Sequence, residues 1–148
     1  MPTEGEHMPT IHDRAVAACR RAVIACADFR VHNLLRSGIV LEPADIFTLP
    51  GAALSIVHPE TIRARASFFR KVAFVVAAHH GERLHIYAHT DCAAYGGREA
   101  FENADVEGKA LWGDLVKARE LIMAHPALRN LDVKLGIILT GTTEVLHF

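Results

Sequence analysis

Apolar residues recur along this chain in two rhythms. Four short runs, at residues 22–27, 45–49, 84–88 and 133–139, are mostly apolar and of strand length. The second is closed by Pro50-Gly51. Two longer stretches repeat their apolar residues every three or four positions, the period of a helix with one buried face. Residues 59–80 are the first of these. Pro59 suits an opening helical turn, Phe68, Phe69, Val72, Val75 and Val76 form the stripe, and Gly81 supplies a stop. Residues 107–125 are the second, with Leu111, Leu115, Ala118 and Ile122 on one face and Pro126 just beyond. Residues 11–20 suit a short helix. Residues 1–10 read as a flexible tail, and residues 141–148 as either an edge strand or an arm reaching a second copy. No repeat or linker interrupts the pattern, so residues 11–148 are expected to form one domain.

Apolar strands alternating with helices imply an α/β fold, a mainly parallel sheet of about four strands flanked by helices on both faces. Right-handed crossovers leave few topologies for such a chain. Ligands in these sheets bind beyond the carboxyl ends of the strands, where strand order reverses. The places to search are therefore just after residues 27, 49 and 88.

Charge and cysteine usage narrow the function. With 16 basic and 17 acidic side chains the formal net charge is −1, and no basic block is present. Such a balance gives no electrostatic footprint for nucleic acid or an anionic membrane. No apolar run reaches the roughly 18–20 residues of a membrane span, and the opening MPTEGEHMPT lacks the apolar stretch of a secretory signal. A cytoplasmic location is expected. Three cysteines, Cys19, Cys26 and Cys92, are too few and too odd for a disulfide scaffold. They read as buried thiols, metal ligands or nucleophiles. Cys19 alone has no evident partner and reads as helix packing.

The first strand ends in Cys26-Ala27-Asp28-Phe29-Arg30 and the third in His89-Thr90-Asp91-Cys92. If these strands are neighbours, two thiols and an imidazole meet at one sheet edge. Thiolates and imidazole are preferred ligands of Zn2+, and three protein ligands leave a fourth position open, which is the catalytic arrangement. A metal there lowers the pKa of its water and provides hydroxide near neutrality. Asp28 would orient that nucleophile, and Arg30 would hold Asp28 ionised and in place. Taken singly, each feature has a plainer account: Cys26 as a small buried hydrophobe, Asp28 and Arg30 as a surface ion pair. His79-His80 reads as a solvated helix end, and Phe68-Phe69 as core or a contact with a second copy. A rival reading takes Cys92 to Arg98 as the C-x5-R loop of a cysteine-dependent phosphatase. Asp91 opposes it, since a carboxylate beside the thiol raises its pKa and repels phosphate. The rival also leaves Cys26 and His89 unexplained.

The two segments CADFR and HTDC, in this order, resemble the signature of the β-class carbonic anhydrases, and the resemblance extends over roughly residues 20–140. It implies a β-carbonic-anhydrase-like fold in which Cys26, His89 and Cys92 bind Zn2+ and Asp28 and Arg30 form the catalytic dyad. In some members the aspartate takes the fourth zinc position in an inactive resting form. The activity implied is hydration of carbon dioxide to bicarbonate. Relatives that hydrolyse carbonyl sulfide or carbon disulfide use the same site, and a zinc-holding domain without turnover is the non-enzyme alternative. The resemblance also implies a homodimer or higher even homo-oligomer with the pocket near the subunit interface. The partner otherwise is a small molecule, with neither nucleic acid nor membrane expected. His32, His58 and Tyr95 are candidates for carrying a proton away. The chain departs from the family at Phe29, where Ser is common, at Ala93, where Gly is common, and at Leu49-Pro50-Gly51-Ala52-Ala53, where many members read Arg-Asn-Ala-Gly. It is also short for the family and lacks most of its N-terminal arm. The expected alteration lies in the substrate pocket rather than in the metal ligands.

Overall fold

A computed structural model of the chain describes residues 18–36 and 43–148. Strands β1 (Arg21–Ala25), β2 (Ala44–Thr48), β3 (Arg83–His89), β4 (Asp132–Ile138) and β5 (Val145–His147) form one sheet. Their spatial order is β2-β1-β3-β4-β5. The first four run parallel, and β5 pairs antiparallel with β4. The sheet thus has five strands where the apolar runs indicated about four. The fifth comes from the last residues, which form an edge strand. It escaped the pattern because three residues carry no period.

Parallel neighbours need crossovers, and helices supply them. Helix α1 (Phe29–Leu34) links β1 to β2, α2 (Ala53–Val57) and α3 (Ile62–Ala78) link β2 to β3, and α4 (Ala104–Met123) links β3 to β4. Leu111, Leu115, Ala118 and Ile122 of α4 are all buried, as their spacing requires, with Phe69, Val72 and Val76 of α3. They pack on Ala22, Ile24, Leu84, Ile86, Leu135 and Ile137 of the sheet. Each large aliphatic side chain so buried contributes about 1.5–3 kcal/mol. Alternate residues point the other way: Val23, Ala25, Tyr87 and Ile138 pack with Val31 and Leu35 at α1. Among the described residues, α1 is the one helix on that face.

Local chemistry sets the element ends. Thr61 caps α3, its Oγ1 accepting from the Ala64 amide at 3.0 Å. Asn103 caps α4, its Oδ1 accepting from the Val106 amide at 3.0 Å. Asp105 and Glu107 then face the positive end of the α4 dipole. Helix α4 therefore begins before Glu107, where the stripe alone had put it. His79 ends α3 with its ring nitrogen 2.7 Å from the Asp45 carboxylate, so it is hydrogen-bonded rather than a freely solvated end. Phe68 meets Phe47 edge-on at 6.2 Å.

The helix expected over residues 11–20 falls outside the described residues up to 17, as does the tail of residues 1–10. Residues 18–20 are not helical. Cys19 instead lies just before β1, with its amide on the His79 carbonyl at 2.8 Å and its thiol 3.4 Å from the carbonyls of Arg21 and Pro43. Among the described residues no helix is long and apolar enough to cross a membrane.

Candidate metal centre

Strand order reverses between β1 and β3, which are direct neighbours with Ile24 opposite Ile86. Their carboxyl ends therefore open onto one crevice, where Cys26 follows β1 and His89 closes β3. The turn after β3 returns Cys92 to the same place. The ligand atoms of Cys26, His89 and Cys92 all lie within 4.8 Å of one another. The side chains are deeply buried, at 6%, 1% and 2% exposure. The two sulfurs are 3.9 Å apart. That is far beyond the S–S bond of about 2.05 Å. It is close to the sulfur–sulfur edge of about 3.8 Å for a tetrahedron with Zn–S of about 2.3 Å.

The imidazole is oriented from behind. His89 Nδ1 donates to the Thr90 carbonyl at 2.8 Å and lies 3.2 Å from Thr140 Oγ1. The Thr140 hydroxyl donates to the same carbonyl at 2.6 Å, and the Thr140 amide donates to Thr90 Oγ1 at 2.9 Å. A carbonyl only accepts, so Nδ1 carries a proton and Nε2 is the exchangeable nitrogen. His89 Nε2 is buried without a hydrogen-bond partner. An orphaned polar atom of this kind costs about 1–3 kcal/mol. Two thiols and an imidazole nitrogen with a free coordination position suit a Zn2+ ion.

The electrostatics fit the same ion. The Cys92 thiol donates toward Cys26 and pulls the Cys26 thiol well below its ordinary range despite burial. The His89 imidazole and the Gly51 amide, which donates at 3.3 Å, act in the same direction. Cys92 is pushed up in return, by Cys26 first and then by burial. Burial disfavours the His89 imidazolium, but the Cys26 thiolate, the Thr90 carbonyl and Asp28 outweigh it and raise the ring.

Asp28 and Arg30 lie beside this cluster. Asp28 opens α1, its Oδ1 accepting from the Arg30 amide at 2.8 Å. The guanidinium then grips the same carboxylate, Nε on Oδ1 at 3.1 Å and Nη2 on Oδ2 at 2.8 Å. Arg30 holds Asp28 below the usual carboxylate range. Asp28 Oδ2 is 4.0 Å from His89 Nε2. On its far side Arg30 donates to Asp91, Nη1 to Oδ2 at 3.0 Å and Nη2 to the backbone carbonyl at 2.9 Å. Asp91 sits at φ +57°. Its Oδ1 accepts from the Arg98 amide at 2.8 Å, and its own amide donates to Glu107 Oε2 at 2.9 Å. Glu107 is 3% exposed.

The structure therefore brings together all five residues singled out from the sequence. The other candidates lie elsewhere. Tyr95 donates to Asp114 Oδ2 at 2.6 Å, and burial followed by Asp114 pushes its phenol up. The exposed His58 ring lies 3.9 Å from Asp114 Oδ1. His32 is half-buried on α1. A cavity of about 330 Å³ between α2 and α3 is lined by Leu49, Pro50 and His58 and by none of the three donors. The phosphatase reading is opposed by the buried, proton-retaining Cys92 and by the Arg98 amide, which is spent on the Asp91 carboxylate. Sequence reasoning missed the parts played by Glu107, Thr90 and Thr140. Their signal would have been three polar residues at the inner ends of a helix and two strands, where apolar ones are the rule.

A family model described as "Putative carbonic anhydrase" matches residues 17–118. No curated protein matches the chain. Among solved structures the chain is similar to the carbonic anhydrase of Streptococcus mutans, with 17% identity and a TM-score of 0.64 over 94% of this chain and 87% of that one. It is similar to tetrameric β-carbonic anhydrases of Sordaria macrospora, with 16% identity and a TM-score of 0.62 over 90% and 82%. A carbon disulfide hydrolase is also similar, with 17% identity and a TM-score of 0.53 over 85% and 76%. At such identities the likeness is one of fold, the five-stranded, mostly parallel α/β sheet described above.

Proposed function

The chain belongs to the carbonic anhydrase family, and on that premise we propose that it hydrates carbon dioxide to bicarbonate with Zn2+ held by Cys26, His89 and Cys92. The observation that carries this reading is the buried, unpartnered His89 Nε2 within reach of two thiols and beside an arginine-held carboxylate. Zinc held there would lower the pKa of a coordinated water to about 7 and so supply a nucleophile at neutral pH. The chain's own groups do the rest. Thr90 and Thr140 keep the imidazole facing the two sulfurs. Asp28, ionised by Arg30, only accepts hydrogen bonds, so a nucleophile whose O–H points at Oδ2 turns its lone pair toward the substrate carbon. Hydration releases one proton with each bicarbonate.

A second reading shares the site and differs in substrate. The residues after β2 are Leu49-Pro50-Gly51, and Phe29 stands 72% exposed between Asp28 and Arg30. These apolar residues beside the metal-site segments suit a larger, more polarizable heterocumulene such as carbonyl sulfide or carbon disulfide, and one structural neighbour is a carbon disulfide hydrolase.

Stopped-flow carbon dioxide hydration by the zinc-loaded protein, from pH 6.5 to 9, tests the first reading. Turnover that rises with pH is expected. Sulfide release from carbon disulfide without carbon dioxide turnover would move the assignment to the second. Neither activity with zinc bound would leave a zinc-holding protein without turnover and overturn both.

A further inference from the structure

Arg30 is held from two sides, and only one side belongs to the dyad. Four of its five N–H donors are engaged, two by the Asp28 carboxylate and two by Asp91. Asp91 lies between His89 and Cys92, on the segment that carries two of the three metal donors. It is itself fixed at three points: a left-handed backbone at φ +57°, a carboxylate oxygen on the Arg98 amide, and an amide on the buried Glu107. Asp28 is held less firmly: Oδ1 caps α1 on the Arg30 amide at 2.8 Å, but Oδ2 is held by the guanidinium alone. Beyond Arg30, its nearest charged neighbour is His89 Nε2, 4.0 Å from Oδ2. Nε2 faces the position a metal would take, so Asp28 is within one side-chain rotation of that position. What keeps it turned aside is Arg30, and Arg30 is one-third exposed, free to swing into solvent if released.

We propose that Asp91 is a positioning residue: by anchoring Arg30 from the ligand-bearing segment, it holds Asp28 off the metal and keeps the fourth coordination position open to a small exogenous ligand. The inference rests on the metal reading above. A bidentate Arg–carboxylate pair is directional as well as charged. Fixing the guanidinium plane with a second carboxylate therefore fixes where the first can lie. Without Asp91 the guanidinium keeps only the Asp28 carboxylate, and the pair is free to turn together. A carboxylate is then the best oxygen ligand at hand for the metal.

The test uses Asp91→Asn, which tolerates the left-handed backbone and keeps an oxygen for the Arg98 amide while removing the charge that holds Arg30. Wild type, Asp91→Asn and Asp91→Asn with Asp28→Asn are loaded with cobalt(II), metal content is measured, and azide is titrated while the visible cobalt bands are followed. Wild type should bind azide. Asp91→Asn should hold cobalt at the same stoichiometry but bind azide at least tenfold more weakly, with altered bands before azide is added. The double variant should recover azide binding, a rescue that a merely structural role for Asp91 does not produce. Equal azide binding by wild type and Asp91→Asn would overturn the proposal, as would a loss that removing Asp28 fails to restore. A wild-type protein that retains no cobalt or zinc would instead overturn the metal reading, and the proposal with it.

Discussion

At the residue scale, each donor of the cluster has a separable consequence. On the proposed metal reading, Cys26→Ser and His89→Ala each remove one of the three proposed ligands, so both should lose zinc, read as metal content after gel filtration. Asp28→Ala should keep the metal and lose turnover by at least tenfold, checked by the same metal assay beside stopped-flow hydration. Zinc capture should also depend on pH. Cys92 is pushed up by Cys26 and by burial, so its thiol retains a proton near neutrality, whereas Cys26 is held well below its ordinary range. Binding must expel at least one proton, and affinity should rise about tenfold or more per pH unit. Competition with a chromophoric chelator at pH 6.5 and 7.5 measures this, and a flat response would contradict the protonated Cys92. These five residues were legible because a strand-end rule and two short motifs point to the same edge. Asp91 was read only as a carboxylate beside Cys92 that opposes the phosphatase alternative, and not as a partner of Arg30. Its partners Arg30 and Glu107 lie 61 and 16 residues away, and no local spacing encodes such a bond.

At the element scale, the long helices and four parallel strands were readable because burial imposes a period on them. Helices α1 and α2 were not, since six and five residues are too short for one. The start of α4 depends on the Asn103 cap, a single hydrogen bond outside the apolar stripe. Two strand contacts make measurable demands. A Cβ on Gly136 of β4 would stand 2.7 Å from Tyr87 Cε1 on β3 and 3.3 Å from the Leu146 carbonyl on β5. Gly136→Ala should therefore cost about 1–3 kcal/mol and lower Tm by roughly 3–10 °C, read by thermal melting. His85, also on β3, is pulled down to about 4 by burial and then by Arg21, with His147, Arg83 and Asp132 as its other charged surroundings. Its ordinary value is 6.5. Protons therefore bind the unfolded chain first: stability is full above pH 6.5 and drains as pH falls toward 4. Thermal melts at pH 7.5 and pH 5 should show a smaller acid loss for His85→Gln than for wild type.

At the scale of the whole molecule, the fold class and the switch point between β1 and β3 followed from strand–helix alternation, whereas the antiparallel β5 did not. The surface retains large apolar side chains, with Phe29, Ile62, Phe74 and Phe148 each more than half exposed. Such exposure suits association between copies. Light scattering is expected to return an even multiple of the mass of one chain, and a monomer at every concentration would contradict it. The arrangement of donors also fixes an order of events. Cys26 and Cys92 are 66 residues apart in sequence. They meet only once β3 has docked beside β1 with a helical crossover already closed between them. Long-range parallel pairing is among the slowest steps a small chain takes, because loop closure precedes any reward. During synthesis the nascent chain holds no complete donor set until residues well past its midpoint have emerged. On the proposed metal reading, capture of the ion should therefore be a late event that follows the docking of β1 beside β3.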